Sequence, residues 1–474
     1  MTFKRKNISM KTKHFKLWFS AAITSLVIAG CDSQLAINPV NTIDAGTSLA
    51  TAQGVQVALT GAYDGTALGG VFGGQVMYDA ELLADDEEFI FGGTFQALDE
   101  VWKKAMIPVN ANAEFAWRDS YITINRANTV LSALDKLPAD DKNTVEGEAL
   151  FIRGSVYFEL AKKYGKFWGD GDNATNLACP LVLTPTNSIS DQDNRPRASV
   201  ADVYARAITD LTRAETILPA GTNGIRANKS MAAAMLARIY LAQGRYAEAR
   251  DAANRVITSA NNYRLAANFA DAFNENAAGF ANEVVYRLAI LETDITGTNG
   301  GVNQMCRFFS PAGSGGRGDI RIQAKHLALY DTADVRGRFF VTAAGNRFSR
   351  KYAVTGLATV DQYLDIPVIR IAEMYLTRAE CNARLSSSTG SAPLEDVNRI
   401  RRRAGLTELA SVDLAAILRE RRLELAFEGQ RLWDLKRTRT NVNAQFPWNS
   451  PKLVFPIPQR EMDTNKQLVQ NAGY

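Results

Sequence analysis

The sequence predicts a mainly α-helical protein in which four helical hairpins form a scaffold that carries long loops with some short strands. Three observations support this fold class. Apolar residues recur at helical spacing, one segment has the spacing of a tetratricopeptide repeat, and long stretches without helical periodicity interrupt the helices. Each hairpin leaves an apolar face that only a neighbouring hairpin can cover, so the four hairpins predict one continuous core.

Residues 1–30 have the composition of a bacterial lipoprotein signal peptide. Positions 1–16 hold six basic residues and no acidic one, and an apolar stretch of 13 residues, Leu17–Ala29, follows. A membrane-spanning helix needs roughly 20 such residues, so this stretch is typical of a signal peptide. Small residues stand directly before Cys31. They predict cleavage at this cysteine, which then becomes the lipid-bearing N-terminus.

Charge and composition exclude several classes of function. Without residues 1–30, the loss of six basic residues changes the formal net charge from +4 to −2, so no basic excess is present to attract nucleic acid. Cys179, Cys306 and Cys381 show no C-x-x-C spacing, which argues against a disulfide scaffold and a zinc site. His326 is the only histidine left, which excludes mechanisms that need two imidazoles. We predict neither a metal nor a cofactor.

The first hairpin is predicted at about 47–137. Its first helix, Leu49–Ala62, has apolar residues at helical spacing. Its second helix is expected to begin near Gln96 or Asn112 and to stop at Pro138.

The second hairpin is predicted at about 144–219. Its first helix, Glu146–Tyr164, is strongly amphipathic. Ser199 is a candidate N-cap for the second helix, Val200–Leu218, and Pro219 ends that helix.

The third and fourth hairpins are predicted at about 227–260 and 367–405. Asn228–Ile257 approximates the tetratricopeptide pattern, in which small residues stand where two helices approach closely, and arrays of such units form right-handed solenoids. The residues that carry this pattern are Leu236, Tyr240, Gly244, Ala249 and Ala253. Pro367–Leu385 and Pro393–Ala404 form the fourth pair.

The remaining sequence falls into three insertions and a C-terminal part, 413–474. The insertions are 65–111, 165–198 and 261–366. Asp413–Arg437 is predicted as one long charged helix, followed by an extended tail. Seven of its charged residues recur at spacings of three and four, and we interpret them as structural ion pairs that hold this helix to the repeats. They are Glu420, Arg421, Glu424, Glu428, Arg431, Asp434 and Arg437.

Four consecutive acids, Asp85–Glu88, could suggest a calcium site or a pair of catalytic carboxylates. Four adjacent side chains point in different directions on any regular backbone, so the run favours a solvated loop.

Several blocks in fixed order resemble the SusD/RagB family of surface lipoproteins. These blocks are Trp117–Asn128 (W-x-x-x-Y-x-x-I-x-R-A-N), Glu148–Gly165, Arg197–Pro219, Arg370–Glu380, Glu420–Arg437 and Phe455–Tyr474. The resemblance implies a single domain, 31–474, in which four tetratricopeptide-like units support a loop-rich ligand-binding subdomain. It also implies anchoring on the exterior of the outer membrane, a SusC-like TonB-dependent transporter as partner, and no catalysis.

The insertions are rich in aromatic residues, whose faces suit the apolar side of a sugar ring. These residues are Phe72, Tyr78, Phe89, Phe91, Phe95, Trp102, Phe167, Trp168, Phe308 and Phe309. The alternative is that the rings anchor the loops on the helical core. In the family that the chain resembles, the ligand meets the first and the long insertion. This implies Tyr78, Trp102, Phe308 and Phe309 as ligand contacts.

Three functions stay open at this point. The leading hypothesis is a lipid-anchored protein that binds a glycan, or less favourably a peptide, and passes it to a barrel transporter. A second is a repeat adaptor that binds another protein in its concave groove. A third is a surface glycoside hydrolase with two carboxylates, although no recognisable pair is present.

Overall fold

A computed structural model of the chain describes residues 49–187, 190, 193–221, 225–273, 282–289, 304–312, 316–352 and 365–474. The predicted signal peptide and Cys31 lie outside the described residues. Leu49–Tyr474 forms one compact unit.

Helices dominate the described part of the chain. In order they are α1 (Ala52–Ala67), α2 (Gln75–Leu83), α3 (Gln96–Trp102), α4 (Ala111–Leu131), α5 (Ala139–Tyr164), α6 (Val200–Ile217), α7 (Lys229–Ala242), α8 (Tyr246–Ile257), α9 (Gln304–Phe309), α10 (Ala324–Leu327), α11 (Ile371–Arg384), α12 (Pro393–Arg403), α13 (Leu414–Glu424), α14 (Arg431–Arg437) and α15 (Gln459–Thr464). The predicted mainly α-helical fold is confirmed.

Polar side chains fix where the scaffold helices begin. At the start of α6, the Ser199 hydroxyl accepts a hydrogen bond from the backbone N–H of Asp202, as the sequence predicted. Thr51, Asn110, and Asn228 cap α1, α4 and α7 in the same way. Each cap satisfies a backbone donor that has no partner within its helix.

The scaffold helices pack in chain order. Helix α1 packs on α4, then α5, α6, α7, α8, α11 and α12 follow, each against the one before it. Small residues allow close approach: a Cβ at Gly154 on α5 would lie 3.0 Å from the Leu211 side chain on α6. The four predicted pairs are therefore present, and the handedness of their stack stays a prediction.

Six short strands in the described ranges form two antiparallel sheets. The strands are β1 (Phe89–Phe91), β2 (Val284–Leu288), β3 (Ile320–Ile322), β4 (Phe340–Ala343), β5 (Asn346–Ser349) and β6 (Ile366–Arg370). One sheet has the order β1-β3-β5-β4, and the other pairs β2 with β6. The first sheet joins the first insertion to the long insertion, because β1 comes from one and β3 from the other.

One predicted helix boundary is wrong, and one helix was not predicted. The fourth hairpin does not begin as a helix at Pro367, because Ile366–Arg370 is the fully buried strand β6 and α11 starts only at Ile371. In the first insertion, 65–111, α3 begins at Gln96, one of the two starts expected for the second helix. The same insertion also contains α2, which the sequence did not predict and of which every residue is buried. A helix that is buried on all sides shows no amphipathic periodicity.

The predicted single helix Asp413–Arg437 is also wrong. Helix α13 ends at Glu424, and α14 begins only at Arg431. Between them Phe427 and Gly429 have φ angles of 67° and 72°, which no α-helix contains. The regular charge spacing conceals this break.

Candidate functional site

An aromatic cluster joins the first insertion to the long insertion. Tyr78 on α2 and Phe308 on α9 are buried and meet edge to face, with ring centroids 5.1 Å apart. Phe308 also meets Phe95, which directly precedes α3, at 6.0 Å and an interplanar angle of 90°. Phe95 is 40% exposed. The cluster therefore runs from the core to the surface and ends there in one accessible ring.

The guanidinium of Arg317 lies over this surface ring. Its carbon is 4.3 Å from the Phe95 ring centroid. Arg317 Nε donates to Asp319 Oδ2 at 2.8 Å, and Arg317 Nη2 donates to Thr94 Oγ1 at 3.2 Å. These bonds hold the guanidinium in place.

Glycine allows this arrangement. The backbone N–H of Gly92 donates to the Asp319 carbonyl at 2.7 Å. A Cβ at Gly93 would lie 2.5 Å from the Asp319 carboxyl carbon, so a larger residue would push the two segments apart. The glycine pair thereby brings Phe95 beside Arg317.

Phe309 lies deeper than Phe308. Its ring is fully buried and packs on Tyr352 at 5.7 Å and on Phe427 at 5.6 Å. Phe309 therefore connects the long insertion to the break between α13 and α14, and its ring offers no face to solvent in this structure.

Trp102, at the end of α3, is half-buried. Its indole N–H donates to Asp85 Oδ2 at 2.8 Å. Asp85 Oδ1 accepts from the backbone N–H groups of Glu88 and Phe89. Burial raises the pKa of Asp85, although these bonds oppose the rise. Trp102 and Phe95 stand at opposite ends of α3, about two helical turns apart.

The acidic run is not a solvated loop throughout, and that prediction is wrong for Asp85 and Glu88, both of which are buried. Glu88 accepts from Arg422 and lies 2.7 Å from His326 Nδ1. Burial alone would raise the pKa of Glu88, but the His326 bond and the Arg422 charge lower it below its usual value. Asp85 and Glu88 therefore serve as hydrogen-bond acceptors for the groups packed around them.

A buried ion-pair network lies at the end of α13. Fully buried Arg370 donates to Glu424 Oε1 at 2.9 Å and to Glu428 Oε1 at 2.6 Å. Arg336 lies 2.7 Å from Glu420 Oε1. Burial would raise the pKa of Glu424, but the surrounding guanidinium groups hold it far below its usual range. Most of these partners come from other elements, which fits a clamp on the scaffold.

The structural ion-pair interpretation is confirmed for six of the seven predicted residues. Arg421 pairs with Asp434 at 2.9 Å, and Arg437 pairs with Glu380. For Arg431 the interpretation is wrong: in the part of the chain that the structure describes, no carboxylate lies within 4.0 Å of its guanidinium.

Among the described residues, no group of three or more histidine, cysteine or acidic side chains is arranged to hold a metal ion. Cys179 and Cys381 are buried free thiols. None of the helices in the described ranges is both long and apolar enough to cross a membrane.

The sequence placed Phe95 among ten insertion aromatics but not among the four expected ligand contacts. Of those four, the structure brings Tyr78 and Phe308 into the cluster and leaves Trp102 at the other end of α3. The Gly-Gly-Thr segment before Phe95 is the sequence signal that could have singled out this residue, because it places the Phe95 ring in a stretch without helical periodicity.

Two family profiles match the chain. Residues 70–241 match a profile described as starch-binding and associating with the outer membrane, and residues 340–449 match the SusD family. SusD-like protein P2 of Formosa agariphila is 24% identical, with 98% of this chain and 100% of that protein covered. The starch-binding protein SusD of Bacteroides thetaiotaomicron is 23% identical, with the same coverage.

Solved structures give the same result for the fold. A SusD superfamily protein of Bacteroides vulgatus superposes with a TM-score of 0.79 at 25% identity, covering 90% of this chain and 99% of that one. A putative sugar-binding protein of the same species superposes with a TM-score of 0.77, also at 25% identity and with the same coverage.

Proposed function

This chain belongs to the SusD/RagB family, and we propose on that premise that it is a lipid-anchored outer-membrane protein that binds an oligosaccharide or polysaccharide at the cell surface. It delivers this nutrient to a SusC-like TonB-dependent transporter. The relatives support the ligand class, because one is named for starch binding and another as a putative sugar-binding protein.

The observation that carries the proposal is the exposed ring of Phe95 with its fixed guanidinium. An aromatic face packs against the C–H side of a pyranose ring. The groups around it bond the hydroxyls: Arg317 has donors to offer, and Thr94 can donate or accept. This combination suits a sugar unit, which presents an apolar face and a polar edge.

The four aromatic residues expected from the sequence take different parts in this proposal. Trp102 is the one of the four whose ring is accessible enough to touch a ligand directly. Tyr78, Phe308 and Phe309 are buried. Phe308 supports the surface ring of Phe95 and Tyr78 supports Phe308, whereas Phe309 packs on Tyr352 and Phe427.

The test begins with a panel of polysaccharides and a pool of peptides, measured for binding to the purified chain by calorimetry. We expect a polysaccharide to bind and the peptides not to bind. Replacing Phe95 with alanine is then expected to weaken this binding at least tenfold, because the stacking face is lost while the backbone stays in place.

Phe115→Ala is the matched control. Phe115 is 44% exposed and also has a guanidinium over its ring, that of Arg118 at 4.8 Å, but it lies on α4. Its removal is expected to leave affinity unchanged. Equal affinity losses in both variants would contradict the role of Phe95. Peptide binding without polysaccharide binding would favour the adaptor function.

The same samples test the absence of catalysis. After prolonged incubation, chromatography of the bound polysaccharide is expected to show no shorter products, whereas a glycoside hydrolase would release them.

Affinity purification of the full chain from detergent-solubilised outer membranes tests the partner. A TonB-dependent barrel is expected to co-purify in near-equal amount, and its absence would count against delivery to a transporter.

A further inference from the structure

A cleft of about 240 Å³ lies between α13, α14 and the segment that follows α10. Its polar lining comes from Arg419, Arg422, Arg431, Asp434, Thr438 and Thr440. Sites for drug-sized ligands typically measure roughly 300–1,000 Å³. This cleft is therefore large enough for one charged group together with part of a sugar unit.

The cleft carries a surplus of positive charge. Three arginines line it, against the single carboxylate of Asp434. That carboxylate is already engaged, since it accepts from Arg421 Nε at 2.9 Å and from Arg437 Nε at 2.8 Å. Asp434 therefore does not balance the charge of the lining arginines by itself.

The three arginines differ in the hydrogen-bond and ion-pair partners that they already have. Arg422 pairs with Glu88. Arg419 is exposed and, within the described ranges, donates only to the backbone carbonyl of Leu329, at 3.2 Å. Arg431 is half-buried and has no ion pair among the described residues. Desolvation first, and then the charge of Arg422, lower the pKa of Arg431, while the more distant charges of Glu88, Asp434 and Glu81 oppose the fall.

We propose that this cleft binds an anionic substituent of the glycan, a uronate carboxylate or a sulfate ester, through Arg431 and Arg419. The proposal rests on the proposed glycan-binding function and narrows its substrate class to acidic glycans. A guanidinium binds both groups through two parallel hydrogen bonds, and a partly desolvated site strengthens them. The hydroxyl groups of Thr438 and Thr440 at the same cleft bond the adjoining sugar.

The experiment compares charged and neutralised forms of the same oligosaccharides by calorimetry at low salt. The probes are tetragalacturonate with its methyl ester, a sulfated galactose tetrasaccharide with its desulfated form, and inorganic sulfate. We expect one charged tetrasaccharide to bind at least tenfold more tightly than its neutral form, and the two pairs distinguish carboxylate from sulfate.

The variants are Arg431→Gln, Arg431→Lys and Arg419→Gln, with Arg264→Gln as the control on an exposed loop. Arg431→Gln and Arg419→Gln are expected to remove the tenfold advantage of the charged form, which corresponds to about 1.4 kcal/mol. Arg431→Lys keeps part of it, because the charge stays while the two-point geometry is lost. Arg264→Gln keeps all of it. Because Arg419 is exposed, its variant tests the cleft even if the Arg431 variants fold poorly.

Charged and neutral forms that bind equally, or an advantage that survives Arg431→Gln and Arg419→Gln, would overturn the cleft assignment. If neutral glycans still bind through Phe95 in that case, the proposed function stands and the cleft alone is wrong. If no glycan binds while inorganic sulfate binds in an Arg431-dependent way, the anion site stands and the glycan function is wrong.

Discussion

Glu424 is the carboxylate on which several buried cations converge. It accepts from Arg370 and Arg403 and lies 3.2 Å from Arg336. Each of these side chains is almost completely withdrawn from water. Removal of one member of such a set leaves the others buried without compensation, which costs more than the set itself contributes.

Glu424→Gln is therefore expected to lower the free energy of unfolding by about 3–5 kcal/mol. Chemical denaturation measures the change. Glu395→Gln is the matched control, because Glu395 pairs with Arg402 at the surface, where both side chains are nearly half exposed. That substitution is expected to cost less than about 1 kcal/mol. Similar costs for both variants would contradict the clamp.

Glu81 gives a prediction that depends on pH. Here replacement of the carboxyl group is expected to stabilise the protein. Burial raises the pKa of Glu81 from 4.5 to about 7, against the hydrogen bond that it accepts from the Gly429 N–H. Because the folded state favours the neutral carboxyl, its contribution to stability is fully present below pH 4.5 and is lost as the pH rises through about 7.

Glu81→Gln keeps an oxygen that can accept the hydrogen bond from the Gly429 N–H, but the amide group cannot ionise. Relative to the parent chain, this variant is expected to gain roughly 2–3 kcal/mol of stability between pH 5 and pH 8. Denaturation at the two pH values measures the gain. A difference that does not change with pH would show that Glu81 does not titrate in this range.

Residue types were visible in the sequence, but their partners were not. The charge spacing along 413–437 predicted ion pairs, yet Glu424 is paired with Arg370, which lies 54 positions earlier in the chain. In the same way, the exposure of Phe95 depends on the packing of Phe308 from another insertion. Contacts between distant segments leave no periodic signal in a single sequence.

At the scale of elements, the break between α13 and α14 organises the centre of the molecule. It carries Glu428 into the ion-pair network and packs Phe427 against Phe309. Gly429 makes the break possible, because its φ of 72° is left-handed and a Cβ there would lie 2.6 Å from Met77 Cα on α2.

Gly429→Ala is accordingly expected to destabilise the fold by roughly 2–4 kcal/mol, from backbone strain and overpacking together. Gly61→Ala on α1 is the control, because it meets nothing within 4 Å and lies in a helix. That change is expected to stabilise the protein by about 0.5–1 kcal/mol. The melting temperatures of the two variants should therefore move in opposite directions.

Elements with one solvent-facing side were the predictable ones. Helix α6 matches its predicted range to within one residue, because Ser199, Pro219 and its amphipathic pattern all specify the same boundaries. Helix α2 and strand β6 were missed, since both are buried on every side and show no alternation of polar and apolar residues. The break at Phe427–Gly429 was missed because the charge pattern continues through it.

At the scale of the whole molecule, the helical scaffold and the insertions have different roles. The helices stack in chain order and place the insertions so that β1 and β3 pair across about 230 positions of sequence. The C-terminal tail returns to this scaffold, where Asn471 Nδ2 donates to the carbonyls of Tyr164 and Phe455. A rigid support of this kind holds a loop-borne ligand site in one geometry.

The lipid that we propose on Cys31 would hold the protein at a membrane. Burial of acyl chains contributes roughly 0.8 kcal/mol per methylene, and two or more chains make the attachment durable. Cys31→Ala is therefore expected to move the protein from the membrane pellet to the soluble fraction after ultracentrifugation of lysed cells. Ser33→Ala, two positions away, keeps the cysteine and is expected to stay in the pellet. If the Cys31 variant sediments with membranes as the parent does, the anchor lies elsewhere. If it is released but still binds glycan through Phe95, position and recognition are separate properties of the chain, as a lipid tether beside a rigid binding scaffold requires.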